Sequence, residues 1–287
     1  VTLREAIAEG AGRLSSEEDL RENAQRDAEL LLLHVLRATR TLLFTDSDRT
    51  VSDREFSEYN SLLERRLLGE PIQYILGEQE FYGLPLKVTS AVLIPRPETE
   101  LLVEAVLARL PKDKPLRIID VGTGSGAIAL AVAKHLPLAQ VIAVDLSEAA
   151  LAVARENAVR LGLQEQVRFM RSDLLAEVDG ETRFDAVLSN PPYIPETDRT
   201  SLHRQVREFE PGMALFAGAE GLDVYRRLIP EAAKALKPGG LLAVEIGYGQ
   251  RPEIEALLHV WSEVEDLDDL QGVSRVMLAR TRESNFD

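Results

Sequence analysis

Asn190-Pro191-Pro192-Tyr193 closes the apolar run Phe184 to Ser189, and it is built to hold a planar nitrogen. An amide or aromatic amine is a poor nucleophile, because its lone pair is delocalised. A catalyst has to grip both N–H groups and point the nitrogen at an electrophile. The Asn190 side-chain carbonyl and the main-chain carbonyl of Pro191 supply two convergent acceptors, stiffened by two prolines of fixed φ that lack an N–H. Tyr193 can then lie on the planar group. The same tetrapeptide also suits a tight turn after a strand, so its surroundings decide.

Some seventy residues upstream, Leu116 to Val121 reads as a buried strand running into Gly122-Thr123-Gly124-Ser125-Gly126 and then the helical pattern Ala127 to His135. The glycines permit positive φ and close backbone approach to a ligand, and the helix start offers free N–H groups with partial positive charge. A second strand, Val141 to Asp145, ends on a carboxylate suited to the two hydroxyls of a ribose. A third, Val167 to Met170, leads into Asp173-Leu174. The carboxyl ends of four strands are thus predicted to converge on one nucleoside site. The loop is G-x-G-x-G preceded by Asp120, not the dinucleotide order G-x-G-x-x-G, and favours a sulfonium nucleoside bearing an amino acid. By itself the loop leaves NAD open as a competitor; together with Asp145, Asp173 and Asn190 it disfavours it.

Residues 1–76 read as helices: Leu3 to Ala11, Ala24 to Arg37 and Asp53 to Leu68 carry apolar residues at three- and four-residue spacing. Ser52 or Asp53 is expected to cap the last, Ser15-Ser16-Glu17-Glu18 to start another, and Gly69-Glu70-Pro71 to end the region. Residues 77–95 suit a connecting hairpin turning at Gly83 to Pro85. From 96 to 287 strands and helices alternate, with helices Glu98 to Leu110, Ser147 to Leu161 and Leu222 to Leu236, a strand Leu241 to Ile246 after a Pro-Gly-Gly turn, and a final pair, Val264 to Leu267 with Arg275 to Ala279. That alternation predicts a doubly wound parallel α/β sheet.

The chain has 287 residues, a formal net charge of −15 and no cysteine. Disulfides, thiolate nucleophiles and Cys-ligated metals are excluded. The negative charge is spread along the chain and argues against binding a long nucleic-acid backbone. No apolar run spans a bilayer, and Val1-Thr2-Leu3-Arg4-Glu5 lacks the basic segment and apolar core of a signal peptide, so a cytoplasmic protein is expected. His34, His135, His203 and His259 lack metal-ligand spacing, Ser125 lacks the nucleophile-elbow order, and Trp261 reads as packing.

Over nearly its whole length the chain resembles the protein-(glutamine-N5) methyltransferases of peptide chain release factors, the HemK/PrmC family. The resemblance rests on Gly77 to Gly83, Ile94-Pro95-Arg96-Pro97-Glu98-Thr99-Glu100, Asp120 to Gly126, Asn190 to Ile194, Glu210-Pro211, Gly221 to Arg226 and Leu236 to Gly240 through Glu245-Ile246-Gly247. It implies a Rossmann-like class I S-adenosylmethionine-dependent methyltransferase domain, a small α-helical N-terminal domain that recognises the protein substrate, and a β-hairpin joining them. It further implies methyl transfer from S-adenosylmethionine to the glutamine of the release factors' Gly-Gly-Gln motif, with S-adenosylhomocysteine as product and no metal.

Carried over by position, Gly122, Thr123, Gly124, Ser125 and Gly126 line the cofactor's amino acid part, Asp145 its ribose, and Asp173 with Leu174 its adenine. Asn190 borders the cofactor and, with Pro191, Pro192 and Tyr193, holds the glutamine. Leu174 stands where family members often carry an aromatic. Arg96, Glu98, Thr99 and Glu100 are expected to flank the cofactor or the substrate entrance, though Glu98 and Glu100 equally suit a helix N-terminus. Asp223, Tyr225 and Arg226 also match, and suit fixing a helix to the sheet. A monomer is expected. The alternative is an N-methyltransferase acting on an exocyclic amine of a nucleic-acid base, since adenine presents the same two-donor planar geometry.

Overall fold

A computed structural model describes residues 1–282, which divide into two compact units. The first comprises Val1–Gly77 and Leu202–Phe209. Its helices are α1 (Leu3–Leu14), α2 (Ala24–Leu36), the short α3 (Thr41–Thr45), α4 (Asp53–Leu67) and α5 (Ile72–Leu76), with a further turn of helix at Arg204–Phe209. Thr2 and Ser52 each close a capping box, with Glu5 and Glu55 respectively returning the hydrogen bond. The apolar stripes of α1, α2 and α4 meet in a core containing Leu3, Leu14, Leu31, Leu32, Tyr59 and Leu63.

Two local expectations are corrected in this unit. Ser15 and Ser16 start no helix: their hydroxyls donate back to the carbonyls of Gly12 and Arg13, and a 3-10 turn, Glu18–Asn23, follows without a side-chain cap. Gly69-Glu70-Pro71 does not end the helical region, because Pro71 sits at the N-cap of α5, which stops at Gly77 with φ of 75°.

The second unit runs over Glu78–Ser201 and from Glu210 onward. It opens with the hairpin β1 (Glu78–Phe81) and β2 (Leu84–Lys87). The turn is Tyr82-Gly83, both at positive φ, and not Gly83 to Pro85 as expected; Pro85 pairs with Glu80 inside the ladder. Two left-handed residues match the twist of a two-residue hairpin loop. Asn157 is fully buried and anchors the hairpin, accepting from the Lys87 N–H at 2.7 Å and donating to the Lys87 and Ser125 carbonyls.

After α6 (Glu100–Arg109) come β3 (Arg117–Val121), α7 (Ala127–His135), β4 (Gln140–Asp145), α8 (Glu148–Leu161), β5 (Val167–Arg171), β6 (Phe184–Ser189), α9 (Asp223–Ala235), β7 (Leu236–Glu245), α10 (Arg251–Leu257), β8 (Ser262–Asp268) and β9 (Ser274–Arg280). The sheet order is β5-β4-β3-β6-β7-β9-β8, parallel from β5 to β7 and antiparallel at β9 and β8. The chain steps from β5 back past β3 to β6, so the switch point lies between β3 and β6, where such sheets open a crevice beyond their carboxyl ends.

Successive strand residues feed opposite faces. Ile118, Leu188, Leu241 and Ala243 pack with α6, α7 and α8, whereas Ile119, Val187, Leu242 and Val244 pack with α9 and α10, beside Trp261. The Lys237-Pro238-Gly239-Gly240 stretch, expected as a turn before the strand, is drawn into β7, with a register irregularity against β6. No helix among the described residues is long and apolar enough to cross a membrane.

Candidate active site at the carboxyl edge of the sheet

The glycine loop is held by the strand beside it. The Gly122 and Thr123 N–H groups both donate to the Val144 carbonyl at 2.9 Å, and Gly124 donates to Asp145 Oδ2 at 2.9 Å. The other Asp145 oxygen accepts from the Ser147 N–H, also at 2.9 Å, at the start of α8. Gly126 sits at φ of 85°, and a Cβ there would lie 3.0 Å from Leu130 and 3.3 Å from Ala154. Only glycine lets α7 begin at this point while α8 packs closely against it.

A cavity of about 230 Å³ opens over this edge. Gly122, Gly124, Asp145, Asp173, Leu174, Asn190 and Pro192 all line it, so seven of the residues singled out from sequence, drawn from four strand ends, face one space. Thr123, Ser125, Gly126, Pro191 and Tyr193 do not line it. Thr123 and Ser125 are buried behind the loop, where the Thr123 hydroxyl donates to Asp120 at 2.6 Å. Asp173 is paired with Arg227 at 2.9 Å. Leu174 adopts φ of 53°, and its carbonyl accepts from the Ser172 hydroxyl at 2.7 Å. Ala91, Val92, Leu93, Met213 and Ala214 also line it, apolar residues that sequence reading did not single out, and so does Pro211 of the Glu210-Pro211 pair.

The Asn-Pro-Pro-Tyr loop is pinned on both sides. Ile194 exchanges main-chain hydrogen bonds with Leu215 and Ala217, and the Gln250 side chain donates to the Tyr193 carbonyl at 3.0 Å. Gly221 passes so close that a Cβ there would sit 2.1 Å from the same carbonyl. The Asn190 amide nitrogen donates to Thr99 Oγ1 at 3.0 Å. Neither the Asn190 side-chain carbonyl nor the Pro191 carbonyl accepts a hydrogen bond from another described residue. Two acceptors are therefore free beside a nucleoside-sized cleft.

Arg96, Glu98, Thr99 and Glu100 do not line the cavity. Arg96 pairs with the buried Glu210, whose other oxygen accepts from the Ile94 N–H, and Glu100 accepts from the Tyr82 N–H at 2.8 Å. Thr99 donates to Glu245 at 2.6 Å. Tyr225 fixes α9 to the sheet through its hydroxyl on the Glu245 carbonyl at 2.7 Å, whereas Asp223 and Arg226 pair with each other on the surface. Among the described residues no cluster of His, Asp and Glu could hold a metal ion.

Sequence reading assigned no role to Glu245. Its signal was a lone carboxylate in the apolar run Leu241 to Ile246. Burial pushes both Glu245 and Asp120 up to about 7, and burial raises Asp145 as well. Asp120 Oδ1 is buried with no hydrogen-bond partner. Between about pH 4.5 and pH 7 the folded chain holds the Glu245 proton more tightly than the unfolded chain does. Unfolding free energy therefore falls as pH rises through that window, by roughly 3 kcal/mol for Glu245 at about 1.4 kcal/mol per pH unit, and levels off above it. Urea unfolding across this range should show the fall, and Glu245→Gln should make it shallower while leaving the part that Asp120, raised over the same window, contributes. A variant curve as steep as the parent's would remove Glu245 from the account.

The sheet order, the glycine loop and the cavity beyond β3 and β6 define a class I S-adenosylmethionine-dependent methyltransferase. A methyltransferase from Pyrococcus furiosus shares the fold, with a TM-score of 0.52 and 19% identity over 76% of this chain and 98% of that one. Residues 97–208 match the family model "Methyltransferase small domain", and residues 5–77 match "PrmC N-terminal domain". The chain is 42% identical to the release factor glutamine methyltransferase of Koribacter versatilis, over 98% of this chain and 99% of that one. It is 43% identical to that of Moorella thermoacetica, over 99% and 100%. The chain belongs to the release factor glutamine methyltransferase family.

Proposed function

We propose that this protein transfers a methyl group from S-adenosylmethionine to the side-chain amide nitrogen of the glutamine in the Gly-Gly-Gln motif of peptide chain release factors. The observation that carries the reading is the pair of unpartnered carbonyls on Asn190 and Pro191, set beside the cavity lined by Gly122, Gly124, Asp145 and Asp173. The residues fit the donor: no atom lies within 4 Å of where a Cβ would stand on Gly122 or Gly124, which leaves room for an amino acid group against the loop. Asp145 retains lone pairs for ribose hydroxyls beyond the two it commits to Gly124 and Ser147, and Asp173-Leu174 lies where adenine would follow.

The bound sulfonium supplies a methyl group already activated for in-line displacement, so no metal is required. The protein's work is positioning, which can be worth roughly 7–11 kcal/mol of barrier. As the amide nitrogen attacks, positive charge grows on its N–H groups. The Asn190 and Pro191 carbonyls then bind the transition state better than the ground state. The new N–C bond replaces the S–C bond, sulfur keeps the electron pair to give S-adenosylhomocysteine, and the nitrogen loses one proton to solvent.

The helical first unit matches the PrmC N-terminal description, which supports a part in substrate recognition. The reading extends to a monomer acting on a translation factor in the cytoplasm.

The deciding measurement is incubation with methyl-labelled donor and either a release factor or DNA, followed by mass mapping. Label is expected on one glutamine of the release factor. Label on nucleic acid with none on protein would replace this reading with that of a base-amine methyltransferase.

A further inference from the structure

A carboxamide can sit in a site two ways round. Turned by 180°, Asn190 would offer an NH2 where an amide substrate needs a carbonyl, and the clamp would repel the group it has to hold. Something must choose between the two orientations.

The choice is built into the strand register. Asn190 stands two residues past Leu188, just beyond the end of β6, and Glu245 follows Ala243 by two at the end of β7; Leu188 and Ala243 are paired and face the same side of the sheet. Asn190 and Glu245 therefore emerge on that face from neighbouring strands. The start of α6, packed on the same face, brings Thr99 between them. The Thr99 hydroxyl donates to Glu245 Oε2 at 2.6 Å and accepts from the Asn190 amide nitrogen at 3.0 Å. Thr99 and Glu245 are 4% and 2% exposed.

A hydroxyl has one proton. With Glu245 ionised, above about pH 7, that proton goes to its carboxylate and leaves Thr99 Oγ1 able only to accept, so the Asn190 NH2 must face it and the carbonyl must face away. The carboxylate is itself held in place: its other oxygen accepts from the Tyr193 hydroxyl at 3.3 Å, and its main-chain carbonyl accepts from Tyr225. The Asn-Pro-Pro-Tyr loop is thus read at both ends by the same side chain.

We propose that Glu245, acting through the Thr99 hydroxyl, is a positioning residue that fixes the Asn190 carboxamide with its carbonyl towards the substrate nitrogen. This rests on the reading of Asn190 as the acceptor for that nitrogen.

The test compares Thr99→Val, Thr99→Ala, Thr99→Ser and Asn190→Ala in the full chain, with S-adenosylmethionine and a release factor as substrates. Thr99→Val keeps shape and loses the hydroxyl. It should lower kcat by about 10- to 100-fold, the scale of one lost orienting hydrogen bond, with donor affinity retained. Thr99→Ala should show the same loss and decides the matter if the valine variant fails to fold. Thr99→Ser should stay within a few fold of the parent, because the proton and the acceptor are both kept. Thr99→Val combined with Glu245→Gln should be no slower than Thr99→Val alone, since both interrupt one path.

Normal kcat in Thr99→Val or Thr99→Ala beside an impaired Asn190→Ala would overturn the relay and leave the proposed function standing. A Thr99→Ser variant as slow as Thr99→Val would also overturn it, because keeping the hydroxyl would then preserve nothing. Near-normal kcat in Asn190→Ala would instead remove the clamp, and with it the reading on which the relay depends.

Discussion

Asn190→Ala is expected to raise the barrier to methyl transfer by about 2–4 kcal/mol, a loss of turnover of roughly 30- to 900-fold, while donor affinity stays within a few fold. The two effects separate because the side chain does two unequal things. It is one of twenty residues along the donor cavity, so its truncation removes little of the ground-state contact. In the proposed reaction its carbonyl is one of two free acceptors for the nitrogen that becomes positive only as the bond forms, so truncation would remove contact made chiefly in the transition state. The remaining acceptor, on Pro191, belongs to the main chain and survives any substitution at 190. Single-turnover rates with saturating donor and release factor, alongside calorimetric donor affinity, measure both quantities. A normal single-turnover rate would sink the assignment, and a large loss of donor affinity with an unchanged rate would make Asn190 a cofactor contact only.

The largest expected effect on stability lies in the helical unit, far along the chain from any chemistry. Arg66 Nε donates to Asp27 Oδ2 at 2.7 Å, and both side chains are 4% exposed. Asp27→Ala leaves the guanidinium buried with, among the described residues, only the Glu70 carbonyl, 3.0 Å away, as a hydrogen-bond acceptor. An uncompensated buried charge of this kind costs about 3–5 kcal/mol. Replacing both residues by apolar ones of similar size, Asp27→Leu with Arg66→Met, should recover most of that loss, because the desolvation cost of both ions disappears together. Urea unfolding followed by circular dichroism, for the parent and both variants, measures the loss. A loss below about 1 kcal/mol for Asp27→Ala, or a double variant no more stable than the single one, would contradict the burial of the pair as its governing property.

Much of the architecture was legible because buried parallel strands advertise themselves. Arg117–Val121, Gln140–Asp145 and Phe184–Ser189 are short apolar runs bounded by glycine, proline or polar residues, and the structure places each within a residue or two of where its run lies. The final antiparallel pair was also read, although β8 is largely exposed. The errors fall where local chemistry outranks pattern. The hairpin turned at Tyr82-Gly83 because two residues of positive φ fit the strand twist, and a tyrosine gives no sign of left-handed backbone. The short α5 and α10 and the turns between Glu196 and Ala214 are too brief or too polar to carry a helical period.

Sequence alone settled which residue types reach the carboxyl edge of the sheet, since strand period and strand ends are local properties of the chain: Gly122, Gly124, Asp145, Asp173 and Asn190 were bound for one place once the runs before them were strands. It could not settle what each side chain does on arrival. Thr99 and Glu245 stand 146 residues apart, and their hydrogen bond depends on β7 lying beside β6 and on α6 crossing that face. Only packing decides such a neighbourhood, and it is packing that turned a lone carboxylate in an apolar strand into the group that holds Thr99, Asn190 and Tyr193 in register.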